Sequence, residues 1–112
     1  MKLDESQFKD TQKLVRQLLK DSTHLYDLPI ASYEVPVYEH PSLNDLGVWG
    51  FAQCHPDYRI FIDARVPKHQ RRRTIWHEAI EVVNDVFDLG LNETQIRVLE
   101  QSLWQVMQKK KL

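Results

Sequence analysis

Cysteine occurs once in these 112 residues, at Cys54, and glycine three times. A single thiol excludes an internal disulfide and a cysteine-based zinc cluster, and it fits a reducing compartment. No apolar run approaches the roughly 18 residues of a membrane-spanning helix, so no span is expected. The opening MKLDESQFKD is charged and has no apolar centre, unlike a signal peptide. The formal net charge is −1, so the chain as a whole offers little attraction to nucleic acid. These absences together predict a cytoplasmic protein without a membrane segment.

The length suits one domain, residues 1–112, with a single modest core. Charge is distributed unevenly. RVPKHQRRR, residues 65–73, carries five Lys/Arg, whereas residues 74–108 carry six carboxylates and only Arg97 against them. An acidic segment that contains a histidine suits a divalent cation, and it also describes many solvated helices.

Helical spacing of Phe8, Val15, Leu18 and Leu19 predicts a first helix over residues 4–22, which YDLP then ends. SYEVPVYEH alternates like a strand, but Pro36 assigns it to an edge or a bulge. GVWGFAQC and YRIFIDARV flank His55-Pro56-Asp57 and predict an antiparallel hairpin, with Tyr58, Ile60 and Ile62 on one face and Arg59, Phe61 and Asp63 on the other. A helix follows over residues 69–88, with Gly90 as its left-handed terminator. Asn92 and Gln95 form a capping box for a last helix over 93–108. The predicted fold is α+β: an N-terminal helix, a small antiparallel three-stranded sheet, and two further helices. Residues 108–112 are expected as a disordered tail. Trp49, Trp76 and Trp104 are expected in the core, and His24, His40, His55 and His69 on the surface.

TIWHEAIEVVND, residues 74–85, carries the chemistry. On a helical wheel Glu81 falls about 40° from His77, so the two share a face one turn apart, as a pair gripping one ion does. Glu78 lies about 100° away. A carboxylate there misses the ion but reaches a water bound to it, which is the general-base position of an H-E-x-x-H helix. An ordinary amphipathic helix has the same pattern. In the last helix Glu100 falls inside the apolar stripe of Ile96, Leu99, Leu103, Val106 and Met107. A carboxylate on such a stripe needs a partner. Metal ligation supplies one; a salt bridge to an arginine of the 71–73 run is the alternative. His77, Glu81 and Glu100 with a water would complete a catalytic zinc set, and a harder divalent ion such as manganese suits two carboxylates.

The order of YRIFID, TIWHEAIEVVND, LGLNETQ and VLEQSLWQVM resembles the small gluzincin-type metallopeptidases of the zincin superfamily, over residues 47–108. In particular it resembles short phage-encoded zincin-like proteins, some of which carry H-E-x-x-E. The resemblance implies a minimal zincin-like fold and a third metal ligand from the helix after the active-site helix, a role that falls on Glu100. Glu81 stands where the common motif has its second histidine. The reading is a small intracellular, zinc-dependent metallopeptidase in which Glu78 is the base and the hairpin strand YRIFIDA pairs with an extended peptide of a specific protein partner. If phage-encoded, it would work in the host cytoplasm. The alternative is a catalytically degenerate zincin-fold interaction protein that binds a host or phage protein. A nucleic-acid role through Lys68–Arg73 is the weakest reading, since such runs are more often solvated surface.

Overall fold

A computed structural model describes the backbone of residues 5–110 and the side chains of residues 10–109. Helix α1 spans Glu5–Asp21; strands β1 and β2 span Thr23–Ile30 and Tyr33–His40; a short 3-10 turn occupies Leu43–Leu46. Strands β3, Gly50–Gln53, and β4, Arg59–Asp63, lead into helices α2, Lys68–Val86, and α3, Glu93–Lys110. The fold is α+β. No described helix is long and apolar enough to cross a membrane.

The sheet corrects the sequence reading. It has four strands, in the order β1-β2-β4-β3, and it is mixed, not three-stranded and antiparallel. The extra strand, β1, contains the YDLP that reads as a break. Its largely exposed positions remove the apolar alternation by which a strand is recognised. β1 pairs antiparallel with β2, and the expected β3–β4 hairpin is present. β2 and β4 run parallel, from Val37↔Ile60 to His40↔Asp63. The chain leaves β2, passes beyond β4 to form β3 at the rim, and returns. Pro36 therefore lies in an inner strand, but β4 joins β2 only from Val37 onward. At Pro36 itself β2 has a neighbour on one side only, so the missing N–H is tolerated.

Alternation along β4 feeds two cores. Ile60 and Ile62 join Val35, Val37, Ile75 and Val82 beneath α2. Phe61 faces the opposite side and joins Val15 and Leu18 of α1 with Leu43. Full burial of Phe61 contributes about 2–3 kcal/mol. Asp63 closes the strand at 0% exposure. Its carboxylate accepts hydrogen bonds from the Asn44 N–H at 2.6 Å, the Arg65 N–H at 2.6 Å and the Arg65 guanidinium at 2.8 Å. Its own N–H donates to the Trp49 carbonyl, which ties the start of β3 to the end of β4.

Helix α2 stops earlier than expected. The first left-handed residue is Asp88, φ 49°, and Gly90 follows at φ 69°. Asn84 then clamps the turn: its amide donates to the Leu91 carbonyl and its carbonyl accepts from the Leu91 N–H. The capping box forms as expected, with reciprocal bonds between Asn92 and Gln95 of 2.9 and 2.8 Å.

Helix α3 buries a different row from the predicted stripe. Ile96 and Glu100 are buried, and Trp104 packs edge-to-face on Trp76 with centroids 5.6 Å apart. Leu99, Leu103 and Val106 face solvent. Residues 108–110 of the expected tail are helical. Asp4, the first residue of the expected helix, and residues 111–112 of the tail lie outside the described residues, as does the side chain of Phe8.

Candidate metal centre

Ile75 and Val82 pin one face of α2 to the sheet. Its other face, carrying Arg73, His77, Glu81 and Asp85 at turn intervals, looks across a groove between β3 and α3. β3 comes unusually close to α2 at Gly50. A Cβ there would stand 2.9 Å from Cγ of Glu78 and 3.0 Å from Cγ2 of Thr74, so only glycine fits without displacement. Glu78 occupies this crevice at 7% exposure, and its Oε2 is buried without a hydrogen-bond partner. Burial, then the nearby Glu81 and Glu93 carboxylates, push its pKa up to about 8.

His77 lies at the middle of the acidic group. Its Nε2 is 3.8 Å from Oε1 of Glu81 and 3.9 Å from Oε2 of Glu93. Its Nδ1 is 3.4 Å from Oε1 of Glu100. One ligand atom each from His77, Glu81 and Glu93 can be chosen so that all lie within 4.8 Å of one another. Burial raises the Glu81 carboxyl to about 7, assisted by a hydrogen bond to the Glu93 carboxyl and by its charge. Two carboxylates converging on one imidazole are a donor set suited to a divalent cation, which would relieve the same repulsion as their shared proton. Zinc accepts imidazole nitrogen and carboxylate oxygen at about 2.1 Å, setting ligand atoms about 3.4 Å apart in a tetrahedron. The two contacts of His77 Nε2 are wider than this by roughly half an ångström. The residues therefore fit a divalent ion, with zinc and manganese both compatible with the donors.

The structure thus brings together His77, Glu81 and Glu78 of the sequence-derived set, and places Glu100 differently. Glu100 is buried, but in the row of Ile96 and not with Leu99 and Leu103 of the predicted stripe, and its Oε2 accepts from Arg73 Nε at 2.8 Å. It meets the Nδ1 side of His77, not the Nε2 side where Glu81 and Glu93 converge. The salt bridge to the 71–73 run is therefore present, and Glu93 takes the third place in the group. Glu93 was missed although the Asn92 capping box marks it as the first residue of α3. What the sequence leaves implicit is the Asn84 clamp on Leu91, which returns the start of α3 to the side of Glu81.

Other expectations change as well. β4 is an inner strand, so YRIFIDA offers no free edge; that edge belongs to β3, which among the described residues pairs with β4 alone. Trp49 is not a core residue: it is 41% exposed and lines the groove. His40 is buried, and its Nδ1 accepts the Ser42 N–H. Arg71 pairs with Glu39, and Arg73 with Glu100, so half of the four cations in the Lys68–Arg73 run are engaged within the fold. Compared with known proteins, the chain matches no family model, no curated protein and no solved structure.

Proposed function

We propose that this chain is a small zincin-like metallopeptidase, with His77, Glu81 and Glu93 holding a divalent ion, zinc first, and Glu78 as the general base. The observation that carries the reading is the buried, unpartnered Oε2 of Glu78, one residue from a histidine on which two carboxylates converge. A bare carboxyl in such a crevice is costly for stability and useful for proton transfer.

The ion would supply polarisation of the scissile carbonyl and a water that is acidic near neutral pH. Positive charge near the group favours the ionised form of Glu78. Glu78 accepts the proton of the attacking water and delivers it to the leaving amine. Glu100 acts on His77 from behind: its carboxylate at Nδ1 favours the tautomer protonated there and leaves Nε2 free to bind. The β3 edge, beginning at Gly50, offers backbone groups to an extended peptide in the groove. The substrate is a segment of a protein partner, which the domain meets inside the cell.

A second reading is favoured by one observation. Leu99, Leu103 and Val106 expose an apolar row on α3, a surface that suits a protein contact. On that reading the fold is a degenerate zincin used for binding alone. Elemental analysis of protein purified without chelator, followed by a cleavage screen of co-purifying proteins with the wild type and Glu78→Gln, decides. The peptidase reading expects one equivalent of metal in both and cleavage by the wild type only. A metal-free wild type that binds a partner and leaves it uncut would overturn it.

A further inference from the structure

The groove beside β3 has arginines at one end and aspartates at the other. At the Gly50 end its wall includes Arg97 and Arg73, the latter bridged to Glu100. At the Gln53 end the wall includes Asp85 and Asp88, with His55 beside them. The two halves share Phe51, Ala52, Glu81 and Glu93, so they form one channel that passes the candidate metal centre at its middle. The polarity comes from α2 itself, whose groove-facing row runs from arginine through histidine and glutamate to aspartate. The unpartnered Oε2 of Glu78 belongs to the same channel, which marks it as more than an acidic surface.

We infer that the channel selects an extended peptide segment with a basic residue toward its N-terminus and an acidic residue toward its C-terminus. This rests on the peptidase reading and names the substrate class for it. The length follows from the helix. Arg73 and Asp85, both on α2, are separated by about 18 Å at 1.5 Å per residue, which an extended chain covers in about five or six residues. The order follows from the strand. β3 runs from the basic end to the acidic end, and antiparallel pairing is the commoner and more stable arrangement. A segment added antiparallel to β3 enters with its N-terminal half beside Asp85 and Asp88, and leaves with its C-terminal half beside Arg73 and Arg97. Opposite charges at the two ends fix register as well as direction, because a segment shifted or reversed brings like charges together.

Two fluorescein-labelled peptides of identical composition test this: one with two lysines first and two aspartates last around a four-residue Ala/Thr/Val centre, and one with the charged pairs exchanged. Fluorescence anisotropy with the full-length, zinc-supplemented protein at low salt should show the lysine-first peptide binding at least about tenfold tighter, with the ratio shrinking in 0.5 M NaCl. Asp88→Asn, which an αL position tolerates, and Arg97→Gln should each cut the ratio severalfold, and the double variant should bring it close to one. Circular dichroism melts establish that both variants are folded. Equal affinities, a preference for the aspartate-first peptide, or no binding of either at millimolar protein would overturn the inference. Zinc retained by the same preparation after gel filtration reads the metal centre separately: zinc retained with no order preference sinks this inference alone, and zinc not retained sinks the reading it rests on.

Discussion

Oε1 of Glu100 lies 3.4 Å from Nδ1 of His77, on the opposite side of the ring from the Glu81 and Glu93 carboxylates. On the proposed reading, the carboxylates on the two sides of this imidazole have different duties. Glu93→Gln should abolish stoichiometric zinc binding. Glu100→Gln should weaken it only about 10- to 100-fold, as loss of a partner behind a ligand does. Competition with a chromophoric chelator measures both. If Glu100→Gln is the variant that loses the metal and Glu93→Gln keeps it, the assignment of the third ligand is reversed.

Glu78 makes stability depend on pH in the direction opposite to most carboxylates. In the unfolded chain it ionises near 4.3, whereas in the fold its pKa is about 8. Between those values the unfolded state gives up a proton that the folded state keeps, so stability falls as pH rises and levels off above about 8. Glu78→Gln removes this contribution and leaves that of Glu81, whose carboxyl is raised by burial to about 7. In chelator-treated protein at pH 8 the variant should be more stable than the wild type, by on the order of 4 kcal/mol, with little difference at pH 4. Urea melts at the two pH values report it; parallel curves would show that Glu78 is not held neutral.

Gly50→Ala should displace the Glu78 side chain, because the new methyl group would stand 2.9 Å from its Cγ. Overpacking of this kind costs about 1–3 kcal/mol. Adding Glu78→Ala should recover part of the loss, which a double-mutant cycle would show as a favourable coupling. Purely additive effects would mean that the crevice accommodates the methyl group by other means.

Asp63→Asn should be among the most damaging single changes away from the groove, on the order of 3 kcal/mol, because it leaves buried donors facing an amide. The hydrogen bonds from Arg65, then those from the Asn44 and Arg65 N–H groups, hold the Asp63 carboxyl well below the usual carboxylate range, against the opposing effect of burial. A lowered folded pKa adds stability that is present above the unfolded value near 3.9 and is lost as pH falls below it. The wild type should therefore lose stability below about pH 4, and the variant should lose less over that interval. Thermal melts from pH 5 to pH 2 give the comparison; identical slopes would remove Asp63 from the acid response.

Signals carried within a few residues were legible in the sequence. The His55-Pro56-Asp57 hairpin, the Asn92–Gln95 capping box and the shared face of His77 and Glu81 depend on local geometry, and all three are present. What depended on distant partners was not legible. β1 shows its neighbours too few apolar side chains to read as a strand, and the parallel pairing of β2 with β4 is set by the path around β3. The helical wheel found the stripe of α3 but could not say which side meets α2. Trp76 and Trp104 settle that, burying the row of Ile96 and Glu100 and turning Leu99 and Leu103 outward. Glu100 was thus identified as a buried carboxylate in need of a partner, while the nitrogen it faces and the competing Arg73 emerge only in three dimensions.

Helix α3 carries Glu93 at its first residue and Glu100 two turns later, on one stiff rod fastened by the Asn84 turn at its start and by Trp104 against Trp76 further along. A rod has few independent movements. Rolling or lifting α3 would draw the Glu93 carboxylate from the Nε2 side of His77 and the Glu100 carboxylate from the Nδ1 side in the same stroke. The centre thus behaves mechanically as a jaw with α2 as its fixed half, and whatever grips α3 from outside holds a handle on both sides of the histidine.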